Sequence, residues 1–152
     1  MAAPARSAEE RRADTILKLE AHGADAWVAT ASPSGVAHLV PLSYAWDGEE
    51  IILGAMPSSP TVRNLRASRR ARLGFGPTRD VVLMDAALDR VLPAADAPAA
   101  TADHYAAQSG WDPRHESDPY VFVLLQPRRI QAWREANELA GKTLMRDGAW
   151  VV

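Results

Sequence analysis

The sequence predicts a mainly β protein with peripheral α-helices: an antiparallel sheet of about six strands closed into a small barrel. Three observations predict it. Asp47-Gly48 stands between two strong strand patterns, and Asp147-Gly148 repeats that hairpin chemistry near the C-terminus. The strand-like runs follow one another through short turns instead of alternating with helices, which favours antiparallel pairing over βαβ units. Pro41 and the glycines inside strand patterns mark bulges and bends, and six strands with bulges close most economically as a barrel.

The elements follow in order. Ser7-Ala8-Glu9-Glu10 fits a capping box, and Ala13, Ile16, Leu17 and Ala21 recur at helical spacing, so a helix is expected from Ala8 to His22 with Gly23 as its stop. Ala26–Ala31 is a short strand, and Ser32-Pro33-Ser34-Gly35 is turn chemistry. Val36–Trp46 is a strand with neither face strongly charged, so it should be covered on both sides. Pro41 cannot donate to a ladder and belongs at an edge or bulge, where neighbouring amides could meet a ligand. Glu50–Met56 is the second hairpin strand. Ser59 can cap the next helix, Pro60 suits its first position, and the helix runs to Ser68.

Ala71–Gly76 and Val81–Leu92 are strands; Asp85, Asp89 and Arg90 mark the second as partly wet. Pro93–Pro98 reads as a linker and Ala99–Ser109 as a helix ended by Gly110. Trp111–Pro119 is an irregular loop. Tyr120–Trp133 opens as a strongly apolar strand, and a small hairpin closes the chain around Asp147-Gly148.

Composition bounds the function. At 152 residues one domain spanning 1–152 is expected, with Met1–Arg6 as a loose N-terminus. A net charge of -2 gives no electrostatic case for nucleic acid or an anionic membrane. The absence of Cys excludes disulfides, thiolate metal sites and a Cys nucleophile. No apolar run reaches the roughly 18 to 20 residues that span a bilayer. The charged MAAPARSAEERRAD start is unlike a signal peptide, so a cytoplasmic protein is expected. No HExxH or clustered-His motif is present, so no metal site is expected.

The stretch Val36–Leu65 carries the strongest functional signal. Ser58, Ser59 and Thr61, the amides of Thr61 and Val62, and Arg63 form a possible anion seat where a strand runs out into a helix. A plain helix cap needs the same residues. Arg66, Arg69, Arg70 and Arg72 are either a solvated basic face or a local attractor of anions. His38 is a structural histidine or a cofactor contact. Tyr44 and Trp46 read as core or dimer contacts. Arg79 is a surface partner of Asp80 or a pocket residue. Trp111 anchors its loop or forms a pocket rim, and Trp133 and Trp150 read as packing. Asp85 and Asp89 read as sheet-surface charge. No Ser-His-Asp arrangement is legible, and no catalytic residue is assigned.

The order helix, AWVATASPSGVAHLVPLSYAWDGEEIILGA and SSPTVRNLRASRRARLGFG resembles the pyridoxamine-phosphate-oxidase-like, FMN-binding split β-barrel proteins. YAAQSGWDPR, LLQPRRIQAW and NELAGKTLMRDGAW resemble an actinobacterial-type subgroup of that superfamily. The resemblance covers Asp14 to the C-terminus. It implies a homodimer of six-stranded split barrels with FMN in a groove at the subunit interface. Relatives use a deazaflavin coenzyme instead, or bind or degrade haem. It implies flavin-dependent oxidoreductase chemistry on a small-molecule substrate, or non-catalytic binding and sequestering of flavin, deazaflavin or haem. By resemblance the cofactor lies against His38, Leu39, Val40, Pro41 and Leu42. Its phosphate lies at the loop matching Ser58 to Arg63, where Ser58, Ser59, Thr61 and Arg63 are the candidate ligands; Asn64 and Arg79 are further candidate cofactor-binding residues. One departure stands out. The family loop follows its Ser or Thr with one or two basic residues, where this chain has Ser59-Pro60-Thr61.

Overall fold

The first helix begins where its cap says it should. In the computed structural model, which describes residues 3–152, α1 spans Ala8–Leu19. Ser7 Oγ accepts from the Glu10 amide at 3.1 Å, and Glu10 Oε2 accepts from the Ser7 amide at 2.7 Å. The helix stops at Leu19 rather than His22, and its buried stripe is Arg11, Thr15 and Leu19, while Leu17 is 65% exposed. Spacing alone favoured the aliphatic stripe. The chain instead buries the stem of Arg11, whose guanidinium donates to the Glu138 carbonyl at 3.2 Å.

Eight strands follow: β1 Asp25–Ala31, β2 Ala37–Trp46, β3 Ile51–Ala55, β4 Arg70–Phe75, β5 Val81–Pro93, β6 Val121–Trp133, β7 Thr143–Arg146 and β8 Ala149–Trp150. They are antiparallel in the order β3-β2-β1-β4-β5-β6-β7-β8, and β3 also pairs with β6. That last pairing, with Ile51 opposite Leu125 and Ala55 opposite Val121, closes the first six strands into a barrel. β7 and β8 form the expected terminal hairpin and extend the sheet from the far end of β6, with Asp147 (φ 49°) and Gly148 (φ 77°) at its turn. Helix α2 spans Pro60–Ser68 and α3 spans Ala99–Ser109. The linker expected over Pro93–Pro98 contains a short 3-10 turn, Ala94–Asp96.

Two cores explain the apolar runs. Inside the barrel, Val28, Tyr44, Leu53, Leu73, Phe75, Met84 and Val123 pack together, with Leu19 of α1 and Val62 and Leu65 of α2 joining them. Outside it, Ala45, Ile52, Phe122 and Leu124 meet Ala102 and Tyr105 of α3. β3 and the start of β6 are therefore buried on both faces, which is why IILGA and VFVLL lack polar alternation. Gln108 locks α3 down. Its carboxamide accepts from the Trp46 amide at 2.9 Å and donates to the Leu19 carbonyl at 2.8 Å.

The N-terminal segment is pinned at Arg6, where a loose tail was expected. Arg6 grips the Glu138 carboxylate through Nε at 2.9 Å and a terminal nitrogen at 2.7 Å, and reaches Asp14 at 2.8 Å. Met1 and Ala2 of that expected tail lie outside the described residues. No helix among those described is long and apolar enough to cross a membrane.

Candidate functional site

The cleft arises from a mismatch in strand length. β2 pairs with β1 along Ala37–Ser43, but with β3 only at Tyr44, Ala45 and Trp46. Beyond Tyr44 opposite Leu53, the two strands part. Pro41 sits on the freed edge of β2, in regular register with Trp27 of β1. The structure thus uses the edge expected for Pro41, without a bulge there.

The gap is held open by aromatic side chains. The Tyr105 hydroxyl donates to the Ser43 carbonyl at 3.4 Å. A Cβ on Gly54 would lie 2.9 Å from both that hydroxyl and the Trp111 ring, so only glycine admits this stack over β3. Burial pushes the Tyr105 phenol up to about 12, so it stays a neutral donor at working pH. The Trp111 ring meets Tyr120 edge-on at 4.9 Å, and its Nε1 donates to Glu116 at 2.8 Å. Behind it Arg114 forks onto Asp112 and Asp103, and the Arg114 contacts hold the Asp112 carboxyl down to about 2.

The resulting cleft has a volume of about 570 Å3. His38, Val40, Pro41 and Leu42 supply one wall, Trp111 and Tyr120 the other, and Ser59 and Thr61 one end. Asp25 also faces it, accepting from the Ser43 hydroxyl at 3.1 Å. No Lys or Arg is among its lining residues.

The structure brings together His38, Val40, Pro41, Leu42, Ser59 and Thr61 from the sequence-predicted set. The others fall outside the lining. Leu39 points to the outer face of the sheet and is 60% exposed. Ser58 and Arg63 sit beside the cleft end, and both are exposed. Asn64 is buried and turned inward, donating to Thr30 Oγ1 at 3.1 Å. Arg79 lines a separate groove with Arg134 and Glu138. Asp25, Gly54, Tyr105 and Tyr120 were not singled out from sequence. Their roles depend on where β2 and β3 part, which no local pattern marks.

The loop into α2 is a cap first. Ser59 Oγ accepts from the Val62 amide at 3.3 Å, the Ser59 carbonyl accepts from Arg63, and Pro60 has no N–H. Thr61, second in the helix, carries the amide that Ser59 does not claim. A flat heteroaromatic ring suits the apolar and aromatic walls. Its phosphate would find Thr61, the Ser58 hydroxyl and Arg63 nearby, with no basic side chain in the lining.

The pyridoxamine 5'-phosphate oxidase family model matches residues 19–134, which holds the barrel, α2, α3 and every wall of this cleft. The chain belongs to the pyridoxamine 5'-phosphate oxidase family. No curated protein matches it in sequence. Among solved structures, an F420 reductase is 15% identical, with 75% of this chain and 94% of that one covered and a TM-score of 0.62. HupZ of Group A Streptococcus is 15% identical over 80% of this chain and 94% of its own, with a TM-score of 0.60. A Listeria innocua protein described as a putative oxidase of this family is 11% identical, covering 81% and 98%, with a TM-score of 0.61. At these identities the likeness shows a shared fold. Among the described residues no cluster of three or more His, Asp or Glu is placed to hold a metal ion.

Proposed function

We propose that the chain is a flavin- or deazaflavin-dependent oxidoreductase whose cofactor ring lies in the cleft between β2 and β3. The observation that carries this is the split itself: an unpaired strand edge at Pro41 facing an aromatic wall of Trp111 and Tyr120. His38, Val40, Pro41 and Leu42 would flank the ring, with Ser58, Ser59, Thr61 and Arg63 at the phosphate end. The bound cofactor would accept or deliver a hydride. The chain's own part is to orient the ring, exclude water from one side of it, and offer the free amides of the β2 edge. The F420 reductase among the structural neighbours supports a deazaflavin as readily as FMN.

The working unit is a homodimer. The outer face of β1 and β2 exposes Trp27 (54%) and Leu39 (60%) beside Pro41, an apolar patch that a second copy would cover. The substrate is a small molecule admitted where the cleft opens. A second reading is a carrier that binds the same cofactor, or haem, without turnover. The cap favours it, since Ser59 is committed to α2 and no basic side chain lines the phosphate end.

Anaerobic titration with FMN and with the deazaflavin coenzyme tests both readings. Saturable binding of either, quenched by a substitution at Thr61 or Trp111, supports the cleft. Turnover of the bound cofactor with NAD(P)H, or with a coupled deazaflavin dehydrogenase, separates enzyme from carrier. Uptake of neither cofactor would overturn the first reading, and failure to take up haem in a parallel titration would overturn the second as well.

A further inference from the structure

A second concavity, of about 820 Å3, lies on the outer face of the barrel across β1, β4, β5 and β6. Its rim carries Arg70, Arg72, Arg128 and Arg129 against a single carboxylate, Asp85. The net charge of the whole chain is -2, so this is a local concentration of positive charge and not a general basic surface.

The backbone builds this concentration. Between β5 and β6, Asp85 pairs with Arg129 but Ala86 pairs with Pro127, so Arg128 of β6 is the extra residue of a β-bulge. Regular alternation would turn Arg128 and Arg129 to opposite faces; the bulge leaves both exposed and both on the cleft. Gly148 makes room for this. A Cβ there would come within 2.9 Å of an Arg128 guanidinium nitrogen. On β4, Arg70 and Arg72 alternate with buried Ala71 and so share the outer face. Arg72, Asp85 and Arg129 stand in one cross-strand row. Asp85 bridges the row at 3.2 Å to Arg72 and 2.8 Å to Arg129, which holds those two guanidinium groups in place. Among the described residues, Arg70 and Arg128 have no carboxylate within ion-pair distance. The floor beneath is small and apolar, with Ala29 of β1 and Ala87 of β5.

From this geometry we infer a second ligand site: the cleft binds a compact polyanion, bearing at least two adjacent phosphate or carboxylate groups, on the Arg70 and Arg128 guanidinium groups. Planar guanidinium forks match both oxyanions in bidentate fashion. Alanine in the floor leaves room for a small carbon body between the charges. The site is separate from the β2–β3 cleft and does not depend on cofactor binding there.

Calorimetric titration of the full chain with inorganic pyrophosphate and, in parallel, with citrate tests it. The expected result is one saturable site per chain that weakens as salt is raised. The tighter of the two probes identifies phosphate or carboxylate as the native charge. Arg70→Gln with Arg128→Gln should reduce affinity on the order of tenfold or more. Arg66→Gln, an exposed arginine of α2 outside the cleft, should leave it unchanged. Absence of saturable heat to low-millimolar probe would overturn the site. So would equal loss in Arg66→Gln, which would mean diffuse charge attraction. If sedimentation shows that the double substitution shifts the oligomeric state while pyrophosphate does not bind, the arginines serve a subunit contact and the inference fails.

Discussion

The hydroxyl of Tyr105 reaches the Ser43 carbonyl at 3.4 Å and takes the place of a ladder bond between β2 and β3. It holds the two strands at a fixed separation where they part. Tyr105→Phe keeps the ring against Phe122 (centroids 5.1 Å apart) and removes only the bridge. The expected cost is about 1 kcal/mol in denaturant unfolding, together with weaker cofactor uptake. Gly54→Ala should cost more, about 1–3 kcal/mol, because Trp111 and Tyr105 must both move. Wild-type stability in both variants would show that the split needs no wedge.

The barrel was legible because its signals are local. Asp47-Gly48 fixes one hairpin, Ser59-Pro60 starts α2, and the apolar double-faced β3 and β6 announce burial on both sides. Half of the cleft was legible through the resemblance carried by one strand, whose His38, Val40, Pro41 and Leu42 line it while Leu39 turns outward. The other half is long-range. Tyr105 lies 62 residues from Ser43, on a helix whose alanine-rich sequence gives no hint of its target. The stripe of α1 misled because a long arginine stem fills a position that periodicity reserves for an aliphatic residue. The bulge at Arg128 had a local mark in Pro127, which cannot donate to a ladder, but nothing local told which neighbour would be the extra residue or which face it would turn to.

Glu138 is only 3% exposed and receives donors from Arg6 and the Arg134 amide. The Arg6 side chain is the largest cause holding its carboxyl down to about 2, against the opposing effect of burial. A depressed carboxylate contributes stability above its unfolded pKa of about 4.3 and loses it as pH falls toward 2. The shift corresponds to about 3 kcal/mol at neutral pH. Wild-type protein should therefore lose stability steeply between about pH 4 and 2. Glu138→Gln should be less stable at pH 7 and flatter in that acid range. Parallel melting curves from pH 5 to 2.5 would remove Glu138 from this role.

Glu50 behaves in the opposite sense. Burial, then Asp89, raises its carboxyl to about 7; Asp47 adds to this and Arg90 opposes it. Asp89 is the unpaired residue where the β5–β6 register shifts between Leu88 and Arg90, and Glu50 Oε2 is buried without a hydrogen-bond partner. A raised carboxyl favours the fold while protonated, so this contribution fades as pH climbs from about 4 through 7. Glu50→Gln should match wild type near pH 5 and exceed it by roughly 1–2 kcal/mol near pH 8. Melting temperatures at the two pH values decide it; a variant that is no better at pH 8 contradicts the burial account.

The charge balance of the β2–β3 cleft yields the last prediction. Asp25 faces it, while Arg63 lies beside its α2 end and outside the lining. A phosphorylated cofactor placed there would be repelled by the one carboxylate inside and attracted by one exposed guanidinium outside. Arg63→Ala should weaken FMN or deazaflavin binding about tenfold at low salt, and by less as salt screens an exposed charge. Asp25→Asn should strengthen it by a few-fold, with the Ser43 hydroxyl still able to donate to the Asn oxygen. The pair of titrations has a sign as well as a size. If Asp25→Asn weakens binding, the carboxylate contacts the ligand directly, and the ring edge it meets must donate hydrogen bonds. If Arg63→Ala changes nothing at low salt, the phosphate lies elsewhere and the α2 loop is a helix cap alone.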